Sequence, residues 1–109
     1  MADSVRMMAE IYGEVGKILK ANGFVANVGN EGAFAPAGIT SNKAPLDMIV
    51  EAIGKAGYEA DKDCGISMDA AASEFFDEDK KRYILKIQQI VSVIFFIYIF
   101  FFNVSDIRI

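Results

Sequence analysis

Two carboxylates in this 109-residue chain stand where they could do chemistry. Glu31 lies in Gly29-Asn30-Glu31-Gly32, directly after the apolar run Phe24 to Val28. Glycines on both sides let the backbone turn sharply and bring a carboxylate close to a ligand. A solvated loop glutamate fits the same spacing. Asp69 closes the run Cys64-Gly65-Ile66-Ser67-Met68-Asp69, in which apolar residues alternate with small or polar ones as in a strand. It shares its parity with Gly65 and Ser67. If those small residues face a barrel interior, Asp69 faces it too, at the C-terminal end of its strand, where active sites of such barrels form. A carboxylate there suits magnesium. A cap or turn aspartate suits the position as well. Glu74, in the next loop, reads more simply as an exposed or positioning residue than as a ligand.

The rest of the composition narrows the chemistry. There is no histidine, which removes the commonest general base and the commonest zinc ligand. Any metal site must be built from oxygens, which points to magnesium, calcium or manganese. Cys64 is the single cysteine. It can form no internal disulfide, has no partner to activate it, and reads as a small buried hydrophobe in a reducing compartment. The net charge of −4 argues against nucleic acid, whose partners present a basic face. Met1 to Glu10 mixes Asp3, Arg6 and Glu10 with apolar residues and so does not read as a signal peptide.

The elements that must position the two carboxylates follow from periodicity. Val5, Met8, Ile11, Tyr12, Val15, Ile18 and Leu19 recur three and four residues apart, the apolar stripe of a helix. Asp3 or Ser4 can cap it, and Asn22-Gly23 suits a left-handed stop. Phe24 to Val28 is then a short strand, and residues 29–36 a loop. A second helix is expected from about Asn42 to Ala56, with Pro45 in its first turn, Leu46, Ile49, Val50 and Ile53 on its buried face, and Gly57 at its end. Cys64 to Asp69 is a strand, and a loop from Ala70 leads to a third at Arg82 to Leu85. Phe75 and Phe76 read as core. The mixed-charge run Asp77 to Arg82 reads as a solvated turn. Helix, strand, helix, strand in one small domain favours a mainly parallel α/β sheet or barrel.

The character changes at Lys86. Residues 1–85 read as a soluble α/β segment, and residues 86–109 as a hydrophobic, helical tail. Ile90 to Phe102 carries no charge. Three readings of the tail stand side by side. It is translated non-coding or frameshifted sequence, as its Phe, Ile, Tyr and Asn content suggests. It is a membrane segment, since Ile87 to Val104 just reaches the ~17–25 residues of a span, with Lys80, Lys81, Arg82 and Lys86 keeping the preceding part cytoplasmic. Or it is a buried or aggregating β segment.

Four stretches then converge on one family. Asn27-Val28-Gly29-Asn30-Glu31-Gly32-Ala33-Phe34-Ala35-Pro36 resembles the acid loop of enolases, the phosphopyruvate hydratases. Ser4 to Tyr12 resembles the helix before that loop, Leu46 to Tyr58 the helix after it, and Ile66 to Phe76 the metal-ligand strand and its loop. The resemblance covers about residues 3–85. It implies a fold that is part of a (β/α)8 TIM-type barrel. The activity it implies is magnesium-dependent dehydration of 2-phosphoglycerate to phosphoenolpyruvate, a glycolytic step. Enolases are themselves an established instance of a Lys or His base working beside one or two magnesium ions. A lysine takes the proton next to the carboxylate, the metal stabilises the resulting charge, and a glutamate helps hydroxide leave. By this resemblance Glu31 is the acid glutamate and Asp69 a Mg2+ ligand. A cytoplasmic location and a homodimeric parent enzyme are also implied.

The match has departures. The family usually has Gly-Asp-Glu-Gly-Gly where this chain has Gly29-Asn30-Glu31-Gly32-Ala33, which removes a negative charge and adds a methyl group beside Glu31. The family's other metal carboxylates, base lysine, phosphate-binding arginine and histidines lie outside the segment. A full barrel takes about 250 residues, so the 109 residues are expected to be a barrel fragment, inactive alone, with uncovered apolar faces that aggregate or need a partner. The alternative is a non-catalytic, membrane-anchored enolase-like fragment acting by binding. A superfamily member with another substrate is disfavoured by the Glu31 loop.

Overall fold

Two helices packed on each other make the core, and the stretches between and after them position the loops of interest. The computed structural model describes residues 2–29, 32–68 and 72–84. Helix α1 spans Ala2–Ala21 and helix α2 spans Lys43–Lys55. Ile11, Val15, Ile18 and Leu19 of α1 face Ile49, Ala52 and Ile53 of α2, and Ile39 and Cys64 close the cluster. Each fully buried Ile or Leu contributes roughly 1.5–3 kcal/mol, so these few side chains dominate the stability. The ion pairs along the helices, such as Lys17–Glu14 and Lys43–Asp47, lie on exposed faces and add only a few tenths of a kcal/mol each.

The expected stripe of α1 is displaced at its edges. Val5 and Tyr12 are exposed, while Met7 packs against the core. Tyr12 lies about 100° around the helix from Ile11, at the margin of the buried face. The helix also starts earlier than expected, at Ala2, so Asp3 and Ser4 sit inside its first turn. There Asp3 complements the positive helix end. In α2 the buried face is Pro45, Ile49, Ala52 and Ile53. Val50, expected inside, is 48% exposed: it lies about 100° around the helix from Ile49, at the margin of the face that packs on α1.

Both helices stop the same way. The Gly23 N–H bonds the Lys20 carbonyl and the Phe24 N–H bonds the Leu19 carbonyl; Gly57 and Tyr58 repeat this against Gly54 and Ile53. This is the Schellman arrangement, which needs a left-handed residue after the helix. Gly23 at φ 80° and Gly57 at φ 89° supply it. Tyr58 then donates its hydroxyl hydrogen to Glu10 at 2.6 Å, tying the end of α2 to α1.

The expected parallel strands are absent among the described residues. Phe24 to Val28 makes one antiparallel bridge, Val28 with Phe34, and Cys64 one parallel bridge, with Ala60. A parallel strand bonds only to strands that arrive from elsewhere in the chain, and among the described residues no such neighbour lies beside these two. The sheet that does form is the antiparallel hairpin of β1 (Phe76–Asp77) and β2 (Arg82–Tyr83), which needs no distant partner. β1 follows a short 3-10 turn at Ala72–Phe75. Phe75 and Phe76 are half-buried rather than core. They meet Tyr83 edge-on, at centroid distances of 6.0 and 5.0 Å. Of the charged run expected as a solvated turn, residues 78–81 form it and Asp77 and Arg82 pair across the hairpin; the Lys80 N–H closes the turn by donating to the Asp77 carboxylate at 2.9 Å. The structure is thus a partial α/β unit, in which no barrel closes among the described residues. The tail, residues 86–109, lies outside them. Within them no helix is long and apolar enough to cross a membrane.

Candidate active-site loop

The segment around Glu31 is closed by hydrogen bonds on both sides. The Gly29 N–H donates to the Ala33 carbonyl at 2.8 Å, and the Ala35 N–H donates to the Asn27 carbonyl at 2.8 Å. The Gly32 N–H reaches back to the Gly29 carbonyl at 3.0 Å. Residues 27–29 and 33–35 therefore run antiparallel, and the bond from Gly32 to Gly29 draws their near ends together. Gly32 has φ 83°, in the left-handed region, where a side chain costs roughly 1–2 kcal/mol. Buried Pro36 follows and anchors the exit of the loop. Residues 30 and 31 are outside the described residues, as is Asp69, so the structure brings the frame of the Glu31 loop together without giving a distance between the two carboxylates. Glu74 is exposed on the 3-10 turn.

Helix α1 reaches this frame directly. Tyr12 donates its hydroxyl hydrogen to the Gly32 carbonyl at 2.7 Å. Its ring stacks on Phe34, with centroids 4.4 Å apart and planes 15° apart. Gly16, one turn along, makes room for that ring: a Cβ there would lie 3.1 Å from the Phe34 ring tip. Periodicity absorbed Tyr12 into the helix stripe and passed over Gly16. Two signals mark them in hindsight. Tyr12 carries a polar end among aliphatic neighbours. Gly16 sits mid-helix, where glycine costs about 1 kcal/mol against alanine unless something approaches closely.

Cys64 is fully buried. Burial, and then the charges of Asp63 and Asp61, push its thiol up, so it is not poised as a nucleophile. Among the described residues there is no group of three or more His, Cys, Asp or Glu side chains able to hold a metal ion.

One comparison bears on this arrangement. The family model described as enolase, C-terminal TIM barrel domain, matches residues 1–93. The match takes in both helices, the Glu31 loop, the Asp69 segment and the hairpin. The chain belongs to the family of enolase C-terminal TIM-barrel domains.

Proposed function

We propose that these residues are the acid-loop portion of a magnesium-dependent lyase that converts 2-phosphoglycerate to phosphoenolpyruvate. The observation that carries the reading is a Glu31 loop framed by hydrogen bonds and by α1, within a chain matched to the enolase barrel over residues 1–93. In the reaction a base removes the proton beside the substrate carboxylate, the carbon–carbon double bond forms, and the C–O bond at the next carbon breaks. Glu31 gives its proton to the departing hydroxide, which leaves as water. Asp69 serves as one ligand of magnesium, and the metal, when bound, stabilises the negative charge that builds on the substrate carboxylate. The base and the remaining ligands come from barrel segments other than these.

The same reading accounts for the exposed apolar side chains. Val25, Val28, Val50, Met68 and Tyr83 all face solvent, and in a whole barrel they would meet neighbouring strands and helices. We assign the whole enzyme to the cytoplasm as a homodimer on the same family grounds.

A chimera tests the proposal. Residues 3–85 replace the matching segment of an active enolase, and turnover of 2-phosphoglycerate is followed with and without magnesium. Turnover is expected, and Glu31→Gln is expected to slow it by roughly a hundredfold or more, the usual contribution of a general acid. A folded but inert chimera overturns the reading. The 109-residue chain by itself is expected to show no magnesium-dependent rate, and a measurable one would refute the view that it holds only part of the site.

A further inference from the structure

We propose that Tyr12 is a positioning residue for the Glu31 loop, acting through the Gly32 carbonyl; this rests on the enolase-type reading, which gives that loop its role. Three independent features of α1 converge on the frame of the loop. The Tyr12 hydroxyl holds the Gly32 carbonyl at 2.7 Å. The Tyr12 ring holds Phe34 in a stacked pair. Gly16 leaves the gap that Phe34 fills, at a distance a methyl group would make tight. The hydroxyl is therefore bonded to the residue next to Glu31, on the side opposite Gly29. Among the described residues the turn is closed by backbone bonds from Gly32 to Gly29 and from Gly29 to Ala33, and the conformational freedom of its glycines works against a single geometry. A rigid helix is a better support for a reacting group than a glycine turn alone. Tyr12 couples the two.

The test is spectroscopic and needs no turnover. Gly32-Ala33 is the single Gly-Ala pair in the sequence. A full chain labelled with carbonyl carbon-13 in glycine and nitrogen-15 in alanine thus gives one carbonyl–amide cross-peak, and it reports on the carbonyl that Tyr12 bonds. Tyr12→Phe keeps the ring and removes only the hydroxyl. The cross-peak is expected to move upfield, as a carbonyl does on losing a hydrogen bond. Exchange at the Gly29 and Ala35 N–H groups is expected to quicken about fivefold, the equivalent of one net hydrogen bond, while amides of Ile18, Leu19 and Ile53 keep their rates. Gly16→Ala approaches the same contact from the helix side. It is expected to protect α1, since alanine is the better helix former, and yet to displace the cross-peak by pushing Phe34 away. That opposition separates positioning from general stabilisation. A cross-peak unmoved by both variants, or core and loop amides loosening together, overturns the proposal. An inert chimera overturns the lyase reading and leaves the result on Tyr12 standing.

Discussion

Ile53→Ala and Val50→Ala, made side by side, test how α2 is packed. Both residues are apolar, and both fall within the stripe that periodicity assigns to the buried face. The structure separates them: Ile53 is fully buried between α1 and Cys64, and Val50 is 48% exposed. Cutting Ile53 back to Cβ opens a cavity in a core of nine apolar residues and should cost about 2–5 kcal/mol. Few layers surround it, and small domains hold only roughly 5–15 kcal/mol in total, so a large share of the fold's stability rides on this one side chain. Val50→Ala removes surface that is already half in water and replaces a β-branched residue with the best helix former. Its net effect should lie within about 0.5 kcal/mol of zero. Urea unfolding followed by far-ultraviolet circular dichroism gives both values on one scale. If Val50→Ala costs as much as Ile53→Ala, α2 is rotated from the orientation described, or another element covers Val50.

Three further outcomes follow from the structure. Tyr58 is held protonated by its hydrogen bond to Glu10, then by burial and the Glu10 charge, against a weaker opposing pull from Arg6. Cys64 is held protonated by burial and then by Asp63 and Asp61. A pKa raised on folding stabilises the fold below the unfolded value and loses that contribution as pH climbs through the folded one. With ordinary values of 9.0 for the thiol and 10.0 for the phenol, the melting temperature should fall above about pH 9. Cys64→Ala and Tyr58→Phe should each remove part of the fall, and a wild-type curve that stays flat or rises there contradicts both assignments. Within the loop, Gly32→Ala should cost about 1–2 kcal/mol through its left-handed backbone alone, since among the described residues beyond its chain neighbours no atom lies within 4 Å of the added methyl. Ala33→Gly should also destabilise, by about 0.4–1 kcal/mol, through the freer unfolded chain. Thermal melts of the two variants decide, and a stabilising Ala33→Gly would show that Ala33 is strained.

The helices were legible because their signal is local. Ile11, Val15, Ile18 and Leu19 declare a face within one segment, and Asn22-Gly23 and Ala56-Gly57 declare the stops, where the left-handed glycines are found. The margins of each face were not legible, because the neighbour decides them. Val5 and Val50 match the period as well as Ile11 and Ile53, and only the placement of α1 on α2 tells them apart. Phe24 to Val28 and Cys64 to Met68 carry strand-like patterns without strand pairing. Alternation describes two faces, whereas a strand exists only once its backbone groups find partners. The hairpin at Phe76–Tyr83 pairs with itself and so forms from short sequence alone.

The loop shows the same division at the scale of single residues. Two departures from the usual family pattern stood out in the sequence, Asn30 and Ala33, and spacing could not say whether Ala33 disturbs Glu31. The backbone answers for Ala33. Among the described residues, the side-chain-bearing positions with left-handed φ are Asp61 and Lys81, and Ala33 is not one of them. Gly32, one position earlier, is left-handed at 83°. Glycine thus stands at the position whose backbone is left-handed, and alanine at a position whose backbone accepts any residue. Ala33 still presents its carbonyl to the Gly29 N–H at 2.8 Å, and that bond depends on the backbone and not on the side chain. The extra methyl leaves the hydrogen bonds that frame the loop as they are, because they run between backbone groups and Ala33 needs no left-handed φ.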